Sequence, residues 1–154
     1  RDALRAGLLD GAVDVVATDH APHTLEEKER PYASAPSGGP LVQHSLPMML
    51  ELSAQGVSPV ETVVEKMCHA PARLFGVRDR GFLRTGHFAD IVLVRPADPW
   101  TVSKENILYK CGWSPLEGTA FSHRVVRTLV NGRTVYADGR VDTAHRGAEL
   151  EFDR

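Results

Sequence analysis

Two cysteines in 154 residues, Cys68 and Cys111, stand far apart and outside any CxxC spacing. That scarcity excludes a cysteine-rich framework and reads as reduced thiols in a cytoplasmic protein. No apolar run approaches the roughly 18 residues of a membrane span, and no stretch resembles a signal peptide. The formal charge of −2 gives no field that would draw nucleic acid or an anionic membrane. Internal repeats and low-complexity tracts are also missing. What remains is 42% hydrophobic and 25% charged, the composition of a soluble globular protein. The length suits one ordinary domain and is short for two. An initiating methionine is lacking too: the chain opens at Arg1 inside a helical pattern of Ala3, Leu4, Ala6, Leu8 and Leu9. It reads as a segment of something longer.

The spacing predicts a short helix over 2–10, stopped by Gly11. Residues 12–17 (AVDVVA) form a nearly continuous apolar run, which predicts a strand covered on both faces, as in a parallel sheet. From Thr24 to about Pro40 the chain is polar and rich in Pro, Ser and Gly, a long loop of the kind that is functional or disordered. Residues 41–55 return to helical spacing, with Leu46, Met49 and Leu50 on one side and Pro47 in the first turn, where its missing N–H is harmless. Ser58-Pro59-Val60-Glu61 predicts a capping box opening a helix over about 59–68, with another turn or two from Ala70 to Phe75. After Gly81 the pattern turns to strands at 88–94 and 124–130. Asn131-Gly132 predicts a tight hairpin into 133–136, and Asp138-Gly139 a further turn. The first half is thus α/β and the second a small β region, with a boundary near residue 77.

The chemistry concentrates at residues 15–23 (VVATDHAPH), where an apolar run ends in an acid and two histidines. A carboxylate at the C-terminal end of a buried strand lies where barrel enzymes place catalytic groups. There Asp19 could bind a metal or shuttle a proton; its plainer role is a cap or turn acid. His20 and His23 beside it make a potential metal or anion site, although three such residues fall short of a full ligand set. His44, His69, His87, His123 and His145 are scattered and read as surface or hydrogen-bonded histidines. Ser37-Gly38-Gly39 could turn backbone N–H groups toward an anion; otherwise it is a loop tip. Residues 113–118 (WSPLEG) read as a packed turn.

Together the pieces resemble the dihydroorotase family of the amidohydrolase superfamily. They are residues 18–23 (TDHAPH), Glu26-Glu27-Lys28, Ala35-Pro36-Ser37-Gly38, Gly81-Phe82-Leu83 with Gly86 and 89–93 (ADIVL), 113–118, and Val130-Asn131-Gly132, in the family's order. The resemblance runs from about Arg1 to Val141. It implies a zinc enzyme that interconverts N-carbamoyl-L-aspartate and L-dihydroorotate in pyrimidine synthesis, built as a metal-dependent (β/α)8 TIM barrel with a small β-sandwich. On that footing residues 1–77 are the last strand and helices of the barrel, and 78–154 the C-terminal part of the sandwich with an extension. Asp19 is then a zinc ligand and the general acid/base, which takes a proton from the attacking hydroxide and delivers it to the departing amide nitrogen. His23, Ser37 and Gly38 hold the substrate carboxylate, and His20 supports from behind.

The resemblance also implies one or two zinc ions, most of whose ligands lie upstream of Arg1. A barrel needs roughly 250 residues, so the chain as given is expected to bind zinc poorly and to be inactive. Implied partners are the small-molecule substrate and either a second copy in a homodimer or aspartate transcarbamoylase, with neither nucleic acid nor membrane. The competing readings are a dihydropyrimidinase or hydantoinase-like cyclic amidase, and a non-catalytic assembly subunit.

Overall fold

The computed structural model describes residues 1–153. Apolar residues at helical spacing form α1 (Asp2–Asp10), and Gly11 closes it in the left-handed conformation with φ 89°. The apolar run that follows departs from expectation: residues 12–19 form no strand, and none of 12–18 is buried. A strand exists only by pairing, and a parallel one needs covering layers as well. Among the described residues no strand lies alongside this run.

It is tied to a helix instead. The Val16 N–H donates to the Lys66 carbonyl at 3.0 Å, and the Lys66 ammonium donates to the Val13 carbonyl. The Lys66 carbonyl is free for a reason written in the sequence. Helix α4 (Val60–Val64) passes through one π turn (Glu65–His69) into α5 (Ala70–Leu74). Within that turn the Ala70 N–H reaches back to the Glu65 carbonyl. The same i→i+5 register assigns the Lys66 carbonyl to residue 71, which is Pro71 and has no N–H to give.

The expected helices at 59–68 and 70–75 are therefore one helical run over 60–74, but its predicted cap fails. Pro59 stands outside the helix with φ −66° and ψ 154°, and the Ser58 hydroxyl is buried without a partner. Proline's fixed φ serves extended backbone as readily as a first helical turn, so it does not choose between them. The capping box that does form lies in the predicted loop. Thr24 accepts from the Glu27 N–H, Glu27 accepts from the Thr24 N–H, and together they open α2 (Leu25–Lys28). Helix α3 (Ser45–Ala54) matches expectation, with Pro47 buried in its first turn. Met49 and Leu50 of α3 and Val63 of α4 make the core, against which Leu8, Val16, Met67 and Val94 pack.

Among the described residues the β region has six short strands: β1 (Ile91–Arg95), β2 (Trp100–Thr101), β3 (Ala120–Phe121), β4 (Arg124–Val130), β5 (Arg133–Ala137) and β6 (Arg140–Val141). Four form an antiparallel sheet in the order β1-β4-β5-β6, and β2 pairs with β3. The hairpin between β4 and β5 turns through Asn131 at φ 51° and Gly132 at φ 77°, the two left-handed residues of a type I′ turn. Asp138 and Gly139 repeat the device at φ 46° and 85°. Buried Arg80 locks the approach to this sheet. It pairs with Asp90, donates to Asn131 Oδ1 at 2.9 Å and lies 4.1 Å from the Phe88 ring centroid. The C-terminal tail returns to the end of α5, where Asp153 N–H meets the Gly76 carbonyl at 2.8 Å. The described residues thus make helices and two sheets, with no complete barrel or sandwich. Among them no helix is long and apolar enough to cross a membrane.

Candidate functional site

Three loops converge after the apolar run. Asp19 ends it in a left-handed conformation, φ 45°, which short polar side chains tolerate better than most. Its side chain is exposed and has no hydrogen-bond partner among the described residues. Two residues on, the Ala21 N–H donates to the Gly39 carbonyl at 3.1 Å, and the His23 N–H closes a tight turn on the Ala21 carbonyl at 2.9 Å. His20 and Gly39 form a parallel bridge. A Cβ on Gly38 would stand 2.7 Å from the Ala21 Cβ, so only glycine permits this approach. The structure therefore sets His20 and Ala21, between Asp19 and His23, against Gly38 and Gly39, which lie far off in sequence.

Each histidine is held differently. His20 Nδ1 accepts from the Leu41 N–H at 3.1 Å and the Val42 N–H at 3.4 Å. A neutral imidazole that accepts at Nδ1 carries its proton on Nε2, so His20 offers a donor there, not a lone pair. His23 Nδ1 lies 3.7 Å from Glu27 Oε2. The Thr24 N–H and hydroxyl hold the Glu27 carboxyl below the usual carboxylate range, keeping it anionic at neutral pH. Residues 113–118 are a packed turn, as expected, and the His23 carbonyl accepts from the Trp113 indole at 2.8 Å, a tie to residues 19–23 that was not foreseen.

Behind His20 lies a buried aromatic network. Its ring is 5.3 Å from that of Tyr109. The Tyr109 hydroxyl accepts from the Gln43 N–H at 3.0 Å and lies 3.1 Å from His44 Nδ1. His44 is wholly buried, and burial alone pushes its imidazole below the usual histidine pKa. Sequence reading placed His44 among the hydrogen-bonded histidines but missed this network. Its partner Tyr109 sits 65 residues away, and no local spacing signals such a contact. Lys28 was named only within the Glu26-Glu27-Lys28 piece of the resemblance and given no role, although the Thr24–Glu27 box that places it was readable as T-x-x-E. His69 and His87 lie elsewhere, around Phe82.

Among the described residues no group of three or more His, Cys, Asp or Glu side chains is placed to hold a metal ion. Asp19 is an oxygen donor and His20 Nδ1 is already engaged, so the donors present do not make a zinc site. What the arrangement offers is an exposed carboxylate at Asp19 and two backbone N–H groups, of Ser37 and Gly38, with no acceptor among the described residues.

Comparison with known proteins gives the setting. Residues 1–135 match the sequence profile described as the amidohydrolase family. The chain is 42% identical over 134 residues to a dihydroorotase of Pelobacter propionicus, covering 87% of this chain and 31% of that protein. It is 40% identical over 150 residues to a dihydroorotase of Halobacterium salinarum, covering 97% and 35%. Among solved structures, an L-hydantoinase (dihydropyrimidinase) from Arthrobacter aurescens superposes with a TM-score of 0.83 at 31% identity, over 91% of this chain and 32% of that one. The chain spans about a third of the length of the relatives it matches.

Proposed function

Because the chain belongs to the amidohydrolase family, we propose that it is the C-terminal portion of a zinc-dependent dihydroorotase. That enzyme reversibly hydrolyses the cyclic amide of L-dihydroorotate to N-carbamoyl-L-aspartate in pyrimidine biosynthesis. In this reading residues 1–77 belong to the end of the (β/α)8 barrel and 78–154 to the sandwich with its extension. The zinc ligands other than Asp19 lie in the part of the relatives' length that this chain does not span. The protein works in the cytoplasm on a small-molecule substrate, and its partner is a second copy or aspartate transcarbamoylase.

The observation that supports the reading is the seating of Gly38 and Gly39 on Ala21, two positions beyond the exposed Asp19, by a loop whose Ser37 and Gly38 N–H groups have no acceptor among the described residues. A ring bearing its own carboxylate needs both. Asp19 takes a proton from the water that attacks the ring carbonyl, so the new C–O bond forms without building up charge on that oxygen. It then returns the proton to the amide nitrogen as the C–N bond breaks, so the nitrogen leaves neutral. The Ser37–Gly38 backbone and His23 hold the substrate carboxylate, which fixes the ring against Asp19. His20, pinned by Leu41 and Val42, keeps its Nε2–H directed for support.

The test is turnover by the full-length protein with zinc, and Asp19→Asn, which is close to isosteric. Asp19→Asn should lower kcat on L-dihydroorotate by at least ~10²-fold with the fold intact. Undiminished turnover would remove Asp19 from the chemistry. Hydrolysis of dihydrouracil or hydantoin rings but not of L-dihydroorotate would instead move the assignment to the hydantoinase-like alternative, which the Arthrobacter aurescens likeness favours.

A further inference from the structure

We propose that Lys28 is the positioning residue for the substrate's anionic group, holding the 36–38 loop so that its free N–H groups face a carboxylate. The inference deepens the dihydroorotase reading and rests on it for the identity of that carboxylate. Lys28 Nζ donates to the Pro36 carbonyl at 2.6 Å and to the Gly38 carbonyl at 2.9 Å. These are charge-assisted bonds to two carbonyls that straddle Ser37. The lysine is itself placed by the Thr24–Glu27 capping box at the start of its one-turn helix.

The consequence follows from peptide geometry. None of the described peptide bonds is cis, and in a trans unit the C=O and N–H point in opposite directions. With the Pro36 carbonyl drawn to Lys28, the Ser37 N–H must look away from it. The Ser37 and Gly38 N–H groups donate to no acceptor among the described residues. The Gly38–Gly39 unit is fixed from both sides: its carbonyl lies on Lys28, and Gly39 bridges to His20 two positions before Pro22. Without Lys28 the Pro36–Ser37 unit can rotate, and a half-turn would present a carbonyl where an anion has to bind. An ammonium bound only to carbonyls also leaves its positive charge uncancelled at the loop, favouring a carboxylate over a neutral ring substituent.

The experiment titrates succinate, as a carboxylate probe, into the isotope-labelled full-length protein and follows the Ser37 and Gly38 amide signals. The wild type and Lys28→Arg should show saturable shifts, and Lys28→Met should need about 10-fold more succinate or more, the loss of one charged hydrogen bond. In turnover, Lys28→Met should raise KM for L-dihydroorotate by the same factor and leave kcat nearly unchanged, a split that general loosening would not produce. The β4–β5 hairpin amides report folding; if Lys28→Met disturbs them, Lys28→Ala carries the comparison. Equal succinate affinity in the wild type and in Lys28→Met or Lys28→Ala overturns the proposal, as does a wild type whose Ser37 and Gly38 amides ignore succinate. A wild type that binds succinate there but does not hydrolyse L-dihydroorotate fails the functional reading while Lys28 stands.

Discussion

Gly81 and Gly86 allow backbone strain and steric crowding to be separated in one molecule. Both sit in the left-handed region, at φ 79° and 90°. A Cβ on Gly86 would meet nothing within 4 Å, whereas one on Gly81 would lie 2.5 Å from the Ala72 Cβ and 2.8 Å from the Cys68 carbonyl oxygen. The left-handed conformation costs an L-residue about 1–2 kcal/mol, and that is all Gly86→Ala should lose. Gly81→Ala adds overpacking against a helix backbone that cannot yield, about 1–3 kcal/mol more. At a urea slope of about 2 kcal/mol/M, the added term separates the two midpoints by roughly 0.5–1.5 M. Urea unfolding of both variants followed by circular dichroism measures it. Coincident midpoints would refute the reasoning, because the contact of the 81–86 segment with the π turn and α5 would then not be tight.

Two further predictions use other parts of the fold. Arg80→Met removes one partner of a mostly buried pair and leaves Asp90 and Asn131 facing an apolar chain. Since Asp90 is partly solvated, the expected loss is about 2–4 kcal/mol, a Tm drop of roughly 5–15 °C by calorimetry; a change under about 2 °C would contradict it. Burial depresses the His44 pKa, so the unfolded chain binds the proton more readily than the folded one. Stability from this group is therefore full above its unfolded value near 6.5 and is lost as pH falls from there through the lower folded value. Between pH 7 and 5 the urea midpoint should fall less in His44→Gln than in the wild type, and parallel profiles would discount His44.

Much of this was readable because it is local. The Asn131-Gly132 turn needs only two residues that tolerate positive φ, and α3 announces itself by Leu46, Met49 and Leu50 on one side. The carboxylate–histidine cluster was legible as a string, and the partnership with Ser37–Gly38 proposed for it comes from family resemblance, not from spacing. Residues 12–17 misled because apolar continuity states only that a run wants cover; what pairs with it is a non-local fact. Its actual tether runs through Lys66, and hangs on the accident that the π register points a carbonyl at Pro71. Ser58 misled for the opposite reason, since a correct motif was overruled by an extended Pro59.

The left-handed Asp19 sets durability against purpose. At φ 45°, glycine would relieve strain that any side chain bears, by up to about 1 kcal/mol for a tolerant residue such as aspartate. The proposed proton carrier is thus a position where the fold would be better served by having no side chain at all. A library of variants sorted only for heat resistance should enrich Asp19→Gly, and on the chemistry proposed here it would hand back a sturdier protein that does nothing.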